Sequence, residues 1–342
     1  METNSRKGAG VTLNSGPHST MQPLIHCHKR QGEREIAVVQ VSIPEAQLDT
    51  WSNVGAEKSA STTYASVQSA LNAGTSLISQ RLYDVYLQGS YKNTTNIFAD
   101  SDIDIVVQLT SIFSYDIARL SESHQGEFRR LHPDPAAYTF MQFRDDVQKS
   151  LQAYYGSELV EPRTKCIKVL GKSGRRDADI VPCISFKRYD PSPLAGFPRP
   201  HEGIRLHRRD NDRALDNYPK RHFDNGVAKH QATKGWYKPT VRIFKNFRNW
   251  LSDEGRIPGG LAPSYFLESM LSNVPNDKFG NTYQLTVANA MIWLVETSET
   301  PSFDKLVTGS GLHWLFGSAE TQWSAESARK LINQYVKAWN AW

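Results

Sequence analysis

Apolar residues in the first half of the chain follow two different spacings. Residues 44–80 carry apolar side chains at helical intervals after Pro44, which predicts helices that pack on one side and brace the core. Beyond them, short apolar runs are separated by polar turns, as strands are. The predicted strands are 84–88, 103–109, 165–170 and 179–186, and a helix is predicted over 138–155. This half of the chain therefore predicts a mixed α/β lobe.

The second half of the chain has helical spacing. Its predicted helices are 240–253, 264–271, 286–297 and 322–342. The stretch 190–216 is rich in Pro, Arg and His, which is typical of a long surface connection, so we expect the lobe boundary there. The expected organisation is a disordered extension or tag over 1–40, a core with N-terminal bracing helices over 41–210, and a helical lobe over 211–342.

Composition narrows the class of protein. The chain has 342 residues, 39% of them hydrophobic, and no apolar run approaches the roughly 18 residues that a membrane span needs. Three cysteines are an odd number, which argues against a disulfide framework and favours a reducing compartment. The net charge of +5 suits anionic partners but does not distinguish nucleic acid from nucleoside triphosphates. We therefore expect a cytoplasmic protein without a membrane segment.

Candidate chemistry lies in the stretch LQGSYKNTTNIFADSDIDIVV. Gly89 and Ser90 follow a predicted strand, and Asp102 and Asp104 begin the next one. Alternate residues of a strand share a face, so the two carboxylates converge on one spot; their repulsion favours a cation between them. Mg²⁺ binds carboxylates and phosphates together, while Gly89 lets the backbone approach a triphosphate and Ser90 can donate to it. An isolated Asp-x-Asp would more often be a solvated turn, but this spacing predicts a metal site beside a phosphate cradle.

A third carboxylate is expected in the segment RRDADIVPC. A two-metal reaction needs a further ligand for the ion that activates the attacking hydroxyl. Asp177 and Asp179 share a strand face, and Asp179 leads directly into an apolar Ile-Val pair. We assign Asp179 to this role and keep Asp177 as the alternative. The residues thus predict a nucleotidyltransferase that uses two Mg²⁺ ions, with Mn²⁺ as a substitute.

These motifs resemble those of a known enzyme family. GSYKNTTNI, SDIDIVV and DADIVP are similar to segments of the polymerase-β-type nucleotidyltransferases of the cGAS/DncV-like (CD-NTase) family, above all its clade-E, CdnE-like bacterial members. The resemblance covers residues 43–342, because NYPKRHFDNGVAK, WYKPTVRIFKNFRNWL and LAPSYFLESML follow in the same order. It implies an α+β fold in which a nucleotidyltransferase lobe with a mixed sheet and a helical C-terminal lobe enclose the nucleotides.

The resemblance also implies a function. Such enzymes condense nucleoside triphosphates into a cyclic oligonucleotide that switches on an effector protein during phage infection, in the systems called CBASS. For this chain it implies a cyclic dinucleotide product and an effector that responds to the product rather than to contact. The sequence lacks the inserted Cys/His cluster that a DNA-sensing relative would use. No nucleic-acid activator is therefore predicted, and a monomer is expected.

Further site residues follow from positions that match the family. Lys245 matches a lysine that holds the donor triphosphate, and Ser264 and Tyr265 match residues that bind the phosphates and stack on the base. The roles suit the chemistry, since a lysine is a compact charge for phosphate and a tyrosine ring stacks on a base. Their plainer interpretations are a surface lysine, a helix cap and a core aromatic. The expected nucleotide-binding residues are Gln88, Gly89, Ser90, Asn217, Lys245, Ser264 and Tyr265.

Asn217 carries the implied base preference. It matches a position at which asparagine favours a pyrimidine in this clade, and a side-chain amide offers both a donor and an acceptor to a base edge. The implied substrates are UTP and ATP, and the implied product is cyclic UMP-AMP or cyclic di-UMP. The alternative is a turn asparagine before Tyr218 and Pro219.

Two other functions stay open on the sequence. The same metal core could transfer a nucleotide to an RNA end or a protein, and the chain could be a catalytically silent nucleotide-binding scaffold. Two weaker motifs are set aside. The segment GKSGRR lacks the glycine that a P-loop requires at Cys166, so it predicts a hairpin turn. His26-Cys27-His28 has no second cluster to complete a zinc site.

Overall fold

The computed structural model describes residues 43–55, 58–98, 102–172, 174–192 and 196–342. The predicted extension over 1–40, including His26-Cys27-His28, lies outside the described residues. Within them the chain forms seven strands: β1 (Tyr83–Leu87), β2 (Ile103–Asp116), β3 (Val160–Pro162), β4 (Ile167–Val169), β5 (Ala178–Arg188), β6 (His201–His207) and β7 (Ala214–Asn217). The α-helices of the same described ranges are α1 (Glu45–Ser52), α2 (Lys58–Asn72), α3 (Gly89–Asn93), α4 (Glu122–Leu131), α5 (Phe140–Tyr155), α6 (Pro219–Ala232), α7 (Tyr237–Asp253), α8 (Ser264–Ser272), α9 (Tyr283–Ser298) and α10 (Ala325–Asn340).

The strands join in one mixed sheet. Its order is β1-β2-β5-β4-β3, and β6 extends it by pairing with both β5 and β7. The β2–β5 pair is parallel, whereas the other pairs are antiparallel. A parallel pair requires a crossover connection, and α4 and α5 lie within it. The predicted α+β fold, with a mixed sheet and a helical C-terminal lobe, is confirmed.

The first lobe is built on one face of this sheet. Ile103, Ile105 and Val107 alternate along β2 and are fully buried in a core shared with α2 and α5. A capping box between Thr139 and Gln142 starts α5 and satisfies backbone amides at its first turn. The opposite face of β2 carries Asp104, and Val106 on that face packs in a smaller apolar cluster with Cys183 and Ile204.

The second lobe is a helical bundle centred on α7. Phe244 and Phe247 have no exposed surface and pack on Tyr335 of α10. Helix α1 belongs to this lobe as well, because Leu48 lies in the same core and Trp51 stacks on Phe247 with ring centroids 5.7 Å apart. The prediction that the N-terminal helices brace the first lobe therefore holds for α2 alone. Apolar spacing gives the buried face of a helix but not the lobe on which that face packs.

The prediction of a surface connection over 190–216 is wrong for much of its length. Strands β6 and β7 form a hairpin there, with Ile204 opposite Asn217. Charged side chains hide the strand pattern, because Arg205 is satisfied within the sheet by Asp216 at 2.6 Å. The sheet thus continues to Asn217, past the boundary predicted at residue 210.

Candidate active site

A tight turn at the end of β1 carries the Gly-Ser pair. Gln88 donates its amide to the carbonyl of Asp104 at 3.0 Å, which keeps the turn against β2. Gly89 then adopts φ +64°, and a Cβ there would lie 2.5 Å from Asp104 Oδ2. Glycine is therefore required both by the left-handed backbone and by the space beside the carboxylate. The turn leads into α3, whose second residue is Ser90.

Two of the predicted carboxylates are neighbours across the parallel strands. Asp104 on β2 lies opposite Asp179 on β5. Asp102 comes two residues before Asp104, immediately ahead of β2. We call Asp102, Asp104 and Asp179 the carboxylate edge. Adjacent strands thus hold Asp104 and Asp179, and Asp102 lies just before the first of them.

Lys168 is a neighbour of the carboxylate edge that the sequence analysis misses. It lies on β4 opposite Asp179, and its Nζ is 3.0 Å from Asp102 and 3.1 Å from Asp177. Asp177 also accepts the amide of Gly171 at 2.7 Å, and this bond is the main cause that lowers its pKa. Asp177 therefore stabilises the β4–β5 turn. This arrangement favours Asp179 over Asp177 as the partner of Asp104.

The electrostatics of the carboxylate edge favour a cation. Burial raises the pKa of Asp179, and the charge of Asp102 raises it further, against the lowering effect of a bond from the Cys166 thiol. Burial and the charge of Asp179 raise the pKa of that thiol to about 12, so it stays protonated near neutral pH. An all-oxygen donor set on adjacent strands fits Mg²⁺ by its chemistry. As placed, no three His, Cys, Asp or Glu side chains of the described residues are close enough to hold an ion, and Asp102 bonds to Lys168 instead.

A buried lysine lies beneath the Gly-Ser turn. Lys245 on α7 has no exposed surface, although the turn that it supports faces the cleft. Its Nζ donates to Ser90 Oγ at 2.7 Å and to the carbonyl of Thr95 at 2.9 Å. A charge removed from water needs such partners. The structure therefore places the predicted lysine next to Ser90, but below the turn rather than in the wall of the cleft.

Glu268 on α8 is a second buried charge, and the sequence analysis misses its role. Its carboxylate is 4% exposed and accepts bonds from Asn93 Nδ2 (2.9 Å), Thr95 Oγ1 (2.9 Å) and His222 Nε2 (3.0 Å). Burial works to raise the pKa of Glu268, but the bond from His222 and the nearby charges of His222 and Lys245 bring it below its ordinary value. We call Asn93, Thr95, His222, Lys245 and Glu268 the buried network. The buried network joins the two lobes. Asn93 and Thr95 belong to the lobe with the sheet, and the other three residues lie on α6, α7 and α8 of the helical lobe.

A cleft of about 300 Å³ opens between the lobes above this network. Seven of the ten predicted site residues line it, namely Gln88, Gly89, Ser90, Asp104, Asn217, Ser264 and Tyr265. The other three predicted residues, Asp102, Asp179 and Lys245, are not part of its lining. His222 and Glu268, which the sequence analysis misses, do line it.

The helical wall of the cleft begins at α8. Ser264 is the first residue of this helix, after Pro263, and its Oγ accepts a bond from Arg248 at 3.4 Å. Tyr265 comes next, with its ring centroid 5.3 Å from that of His222 and the two planes inclined by 34°. A helix start offers unpaired amides to an anion, and an aromatic ring stacks on a base. This wall can therefore bind both parts of a nucleotide.

Asn217 lines the cleft from the sheet side. It is the last residue of β7, and its Oδ1 accepts the amide of Tyr218 at 2.8 Å. The side chain thus takes part in the turn while it faces the cleft. The bond to Tyr218 is what a turn asparagine makes, and the contact of Asn217 with a base stays a prediction.

The fold and the cleft together define a class of enzyme. A Gly-Ser turn beside paired strand carboxylates, facing a helical lobe with a buried lysine and a tyrosine, is the arrangement of a nucleotidyltransferase. The family described as the cGAS/DncV-like nucleotidyltransferase C-terminal helical domain matches residues 224–340. No described helix is both long and apolar enough to cross a membrane.

Known proteins narrow this class further. A "Cyclic UMP-AMP synthase" of Rhodothermus marinus is 39% identical over 300 residues, which cover 88% of this chain and 99% of the relative. The "Cyclic nucleotide synthase CdnE01" of Staphylococcus haemolyticus is 37% identical, over 88% of this chain and all of the relative (100%). The solved structure of the R. marinus CdnE c-UMP-AMP synthase with Apcpp and Upnpp superposes with a TM-score of 0.77, at 39% identity, over 88% of this chain and 97% of that one. This chain belongs to the cGAS/DncV-like nucleotidyltransferases, among their CdnE-type cyclic nucleotide synthases.

Proposed function

We propose that this chain condenses two nucleoside triphosphates, at least one of them UTP, into a cyclic dinucleotide. The observation that carries the proposal is that one cleft brings Gly89, Ser90 and Asp104 of one lobe to Tyr265 of the other. The R. marinus relative, solved with analogues of two different nucleotides, supports a mixed product.

We assign the donor nucleotide to the side of the cleft formed by α3 and α8. Ser90 and its partner Lys245 offer hydroxyl and positive charge to the triphosphate, and Ser264 adds a donor at the start of α8. Tyr265 would stack on the base, which is worth about 1–3 kcal/mol per base. The fixed contact between Lys245 and Ser90 supports this role because the cradle is formed before the ligand binds.

The carboxylate edge would hold two Mg²⁺ ions, with Mn²⁺ as a substitute. Asp104 and Asp179 are opposite each other in register, which supports a shared site, and Asp102 would join them by exchanging its bond to Lys168 for the metal. When bound, the ions neutralise phosphate charge and lower the pKa of the acceptor hydroxyl. The raised pKa of Asp179 fits a carboxylate whose charge is unfavourable until a cation arrives.

The reaction consists of the same transfer performed twice. A ribose hydroxyl of the acceptor attacks the α-phosphate of the donor, one P–O bond forms, and the P–O bond to the departing pyrophosphate breaks. The chain orients the two nucleotides: the Gly-Ser turn fixes the donor, while Asn217 offers its amide to the acceptor base. A second transfer within the linear intermediate closes the ring.

We assign the product to signalling. The family resemblance implies antiphage defence of the CBASS type, in which the cyclic product is the message to a separate effector protein. Contact between this chain and the effector is not required for such a signal.

Mass spectrometry of the products made from all four nucleoside triphosphates with Mg²⁺ tests this function. We expect a phosphatase-resistant cyclic dinucleotide that contains uridine, together with pyrophosphate. Label that appears only on added RNA or protein would instead establish a polymer-modifying transferase. Nucleotide binding without pyrophosphate release would establish a silent scaffold.

A further inference from the structure

Glu268 is a buried carboxylate at the junction of the two lobes. All three of its described side-chain bonds are within 3.0 Å: Asn93 and Thr95 approach from the segment after the Gly-Ser turn, and His222 approaches from α6. Its backbone carbonyl accepts a further bond from the hydroxyl of Tyr237 at 3.1 Å. A charge that is 96% buried is costly unless several donors satisfy it, and removal of one donor from such a group is felt by the others.

One branch of this contact set leads to the phosphate side of the cleft. Thr95 donates its hydroxyl to Glu268, and its carbonyl accepts from Lys245. Lys245 in turn donates to Ser90 Oγ, and the carbonyl of Ser90 accepts the amide of Thr95 at 2.9 Å. The position of Ser90 therefore depends on Thr95, and Thr95 is fixed by Glu268.

The other branch leads to the base side of the cleft. His222 is 6% exposed, and its Nε2 donates to Glu268. Gly309 also confines the ring, because a Cβ there would lie 2.6 Å from the ring carbon between the two nitrogens. The His222 ring lies 5.3 Å from the ring of Tyr265. The bond to Glu268 thus fixes the surface against which Tyr265 rests.

We infer that Glu268 is a positioning residue that sets the phosphate cradle and the base-stacking tyrosine relative to each other. The inference rests on the proposed function only in that the ligand is a nucleoside triphosphate. Glu268 bonds to Thr95 and to His222 through the same carboxylate. The separation between Ser90 and Tyr265 is therefore set before a nucleotide binds across them. Such contacts hold substrate and transition state equally, so their loss raises KM and leaves kcat nearly unchanged.

Three variants at two positions separate the charge of Glu268 from its hydrogen bonds. Glu268→Gln keeps the shape and an acceptor for Asn93 and His222 but removes the charge. Thr95→Val keeps the shape of the threonine and removes one donor, and Thr95→Ser restores the hydroxyl. The matched control is Glu45→Gln, whose carboxylate accepts the amides of Tyr283 and Gln284 at 2.6 and 2.8 Å, away from the cleft.

The measurements are the Kd for the non-hydrolysable ATP analogue Apcpp with Mg²⁺, steady-state KM and kcat, and the thermal midpoint. We expect Glu268→Gln to weaken Apcpp about tenfold and Thr95→Val about threefold or more, with kcat within about threefold of wild type. Thr95→Ser should bind Apcpp as the wild type does. Glu45→Gln should lower the thermal midpoint without a change in Kd or KM.

Unchanged Kd and KM in Glu268→Gln, with a lowered thermal midpoint, would show a purely structural residue and overturn the inference. If Glu268→Gln does not fold, the pair Thr95→Val and Thr95→Ser decides: equal affinity in these two variants also overturns it. The Apcpp measurement does not depend on turnover. If the wild type binds Apcpp but makes no cyclic product, the proposed function fails while the role of Glu268 is still decided by Kd.

Discussion

The carboxylate edge and the buried network lie on two sides of the same Gly-Ser turn and differ in their relation to solvent. The Asp102 side chain is 36% exposed, and its partner Lys168 lies on a neighbouring strand. Lys245 has no exposed surface, and each residue of the buried network is at most 8% exposed. Charges are paired in both regions, but a ligand or cation can still reach those of the carboxylate edge, whereas those of the buried network are closed off from solvent.

This difference assigns separate tasks to the two regions. Groups whose interactions change during the reaction act on kcat, whereas groups fixed before the substrate arrives act on its binding. The carboxylate edge has exchangeable partners, as the bond between Asp102 and Lys168 illustrates. We therefore expect substitutions at the edge to reduce kcat and substitutions around the network to raise KM.

The largest effect is expected when the edge is removed. Asp102→Ala combined with Asp104→Ala should abolish metal-dependent turnover, because several kcal/mol of transition-state stabilisation are lost. Pyrophosphate release measures this loss. Asp116→Ala, at the far end of β2, is the matched control and should retain turnover. Near wild-type turnover in the double variant would contradict the assignment of the edge.

Asp179→Asn should separate the catalytic use of this residue from its effect on stability. Turnover should fall strongly. In metal-free protein, however, the thermal midpoint at pH 7 should rise, because burial raises the pKa of Asp179 and its charged form disfavours the fold.

The pH dependence of this gain has a definite sign. Since the folded-state pKa of Asp179 lies above its unfolded value, its contribution to stability is fully present below about pH 4 and is lost as the pH rises through the raised value. The advantage of Asp179→Asn should therefore disappear in acid. Mg²⁺ should stabilise the wild type more than the variant. A variant that is no more stable than wild type at pH 7 without metal would argue against this electrostatic account.

The two regions also differ in how far the sequence predicts them. The residues of the carboxylate edge lie in two short segments, and the alternation of side chains along a strand predicts which way their carboxylates point. In the structure, the register of the two strands places Asp104 opposite Asp179. The buried network comes from distant segments, and nothing in the local pattern around His222 or Glu268 indicates that they meet. Only the resemblance points to Lys245, and it does not reveal that the lysine lies under Ser90.

The same limit applies to the fold. Strands β1, β2, β4 and β5 and helices α5 and α7 to α10 are confirmed with shifted ends, because their apolar spacing is strong. Helix α6 has no counterpart among the predicted helices, because His222 is its one buried residue. Helix α4 is similar, with Phe128 alone buried. A helix or strand that buries little apolar surface has few regularly spaced apolar residues, so its sequence gives little indication of it. Its position then depends on tertiary contacts.

The ring of Tyr265 offers an intermediate test on the network side of the cleft. Tyr265→Ala should raise KM for the donor by the factor that corresponds to a loss of about 1–3 kcal/mol of stacking energy. Tyr265→Phe keeps the ring, so its KM should stay near that of the wild type. The measurement is KM and kcat with the other nucleotide saturating. A fall in kcat with unchanged KM would show that Tyr265 acts on the chemical step, as the carboxylate edge does, and not on substrate binding. A large effect of Tyr265→Phe would indicate that the phenol, not the stacking face, matters.

The smallest expected effect is a change of preference at Asn217. Asn217→Ser shortens the side chain and removes the amide that faces the cleft. The ratio of UTP to purine incorporation should therefore fall roughly fivefold or more, which corresponds to about 1 kcal/mol of lost discrimination. Competition between UTP and ATP, followed by mass spectrometry of the product, measures this ratio. Because Asn217 Oδ1 also accepts the amide of Tyr218, the thermal midpoint must be measured alongside. A lower midpoint with unchanged nucleotide choice would mean that Asn217 serves the turn alone, and base selection would then have to come from another part of the cleft.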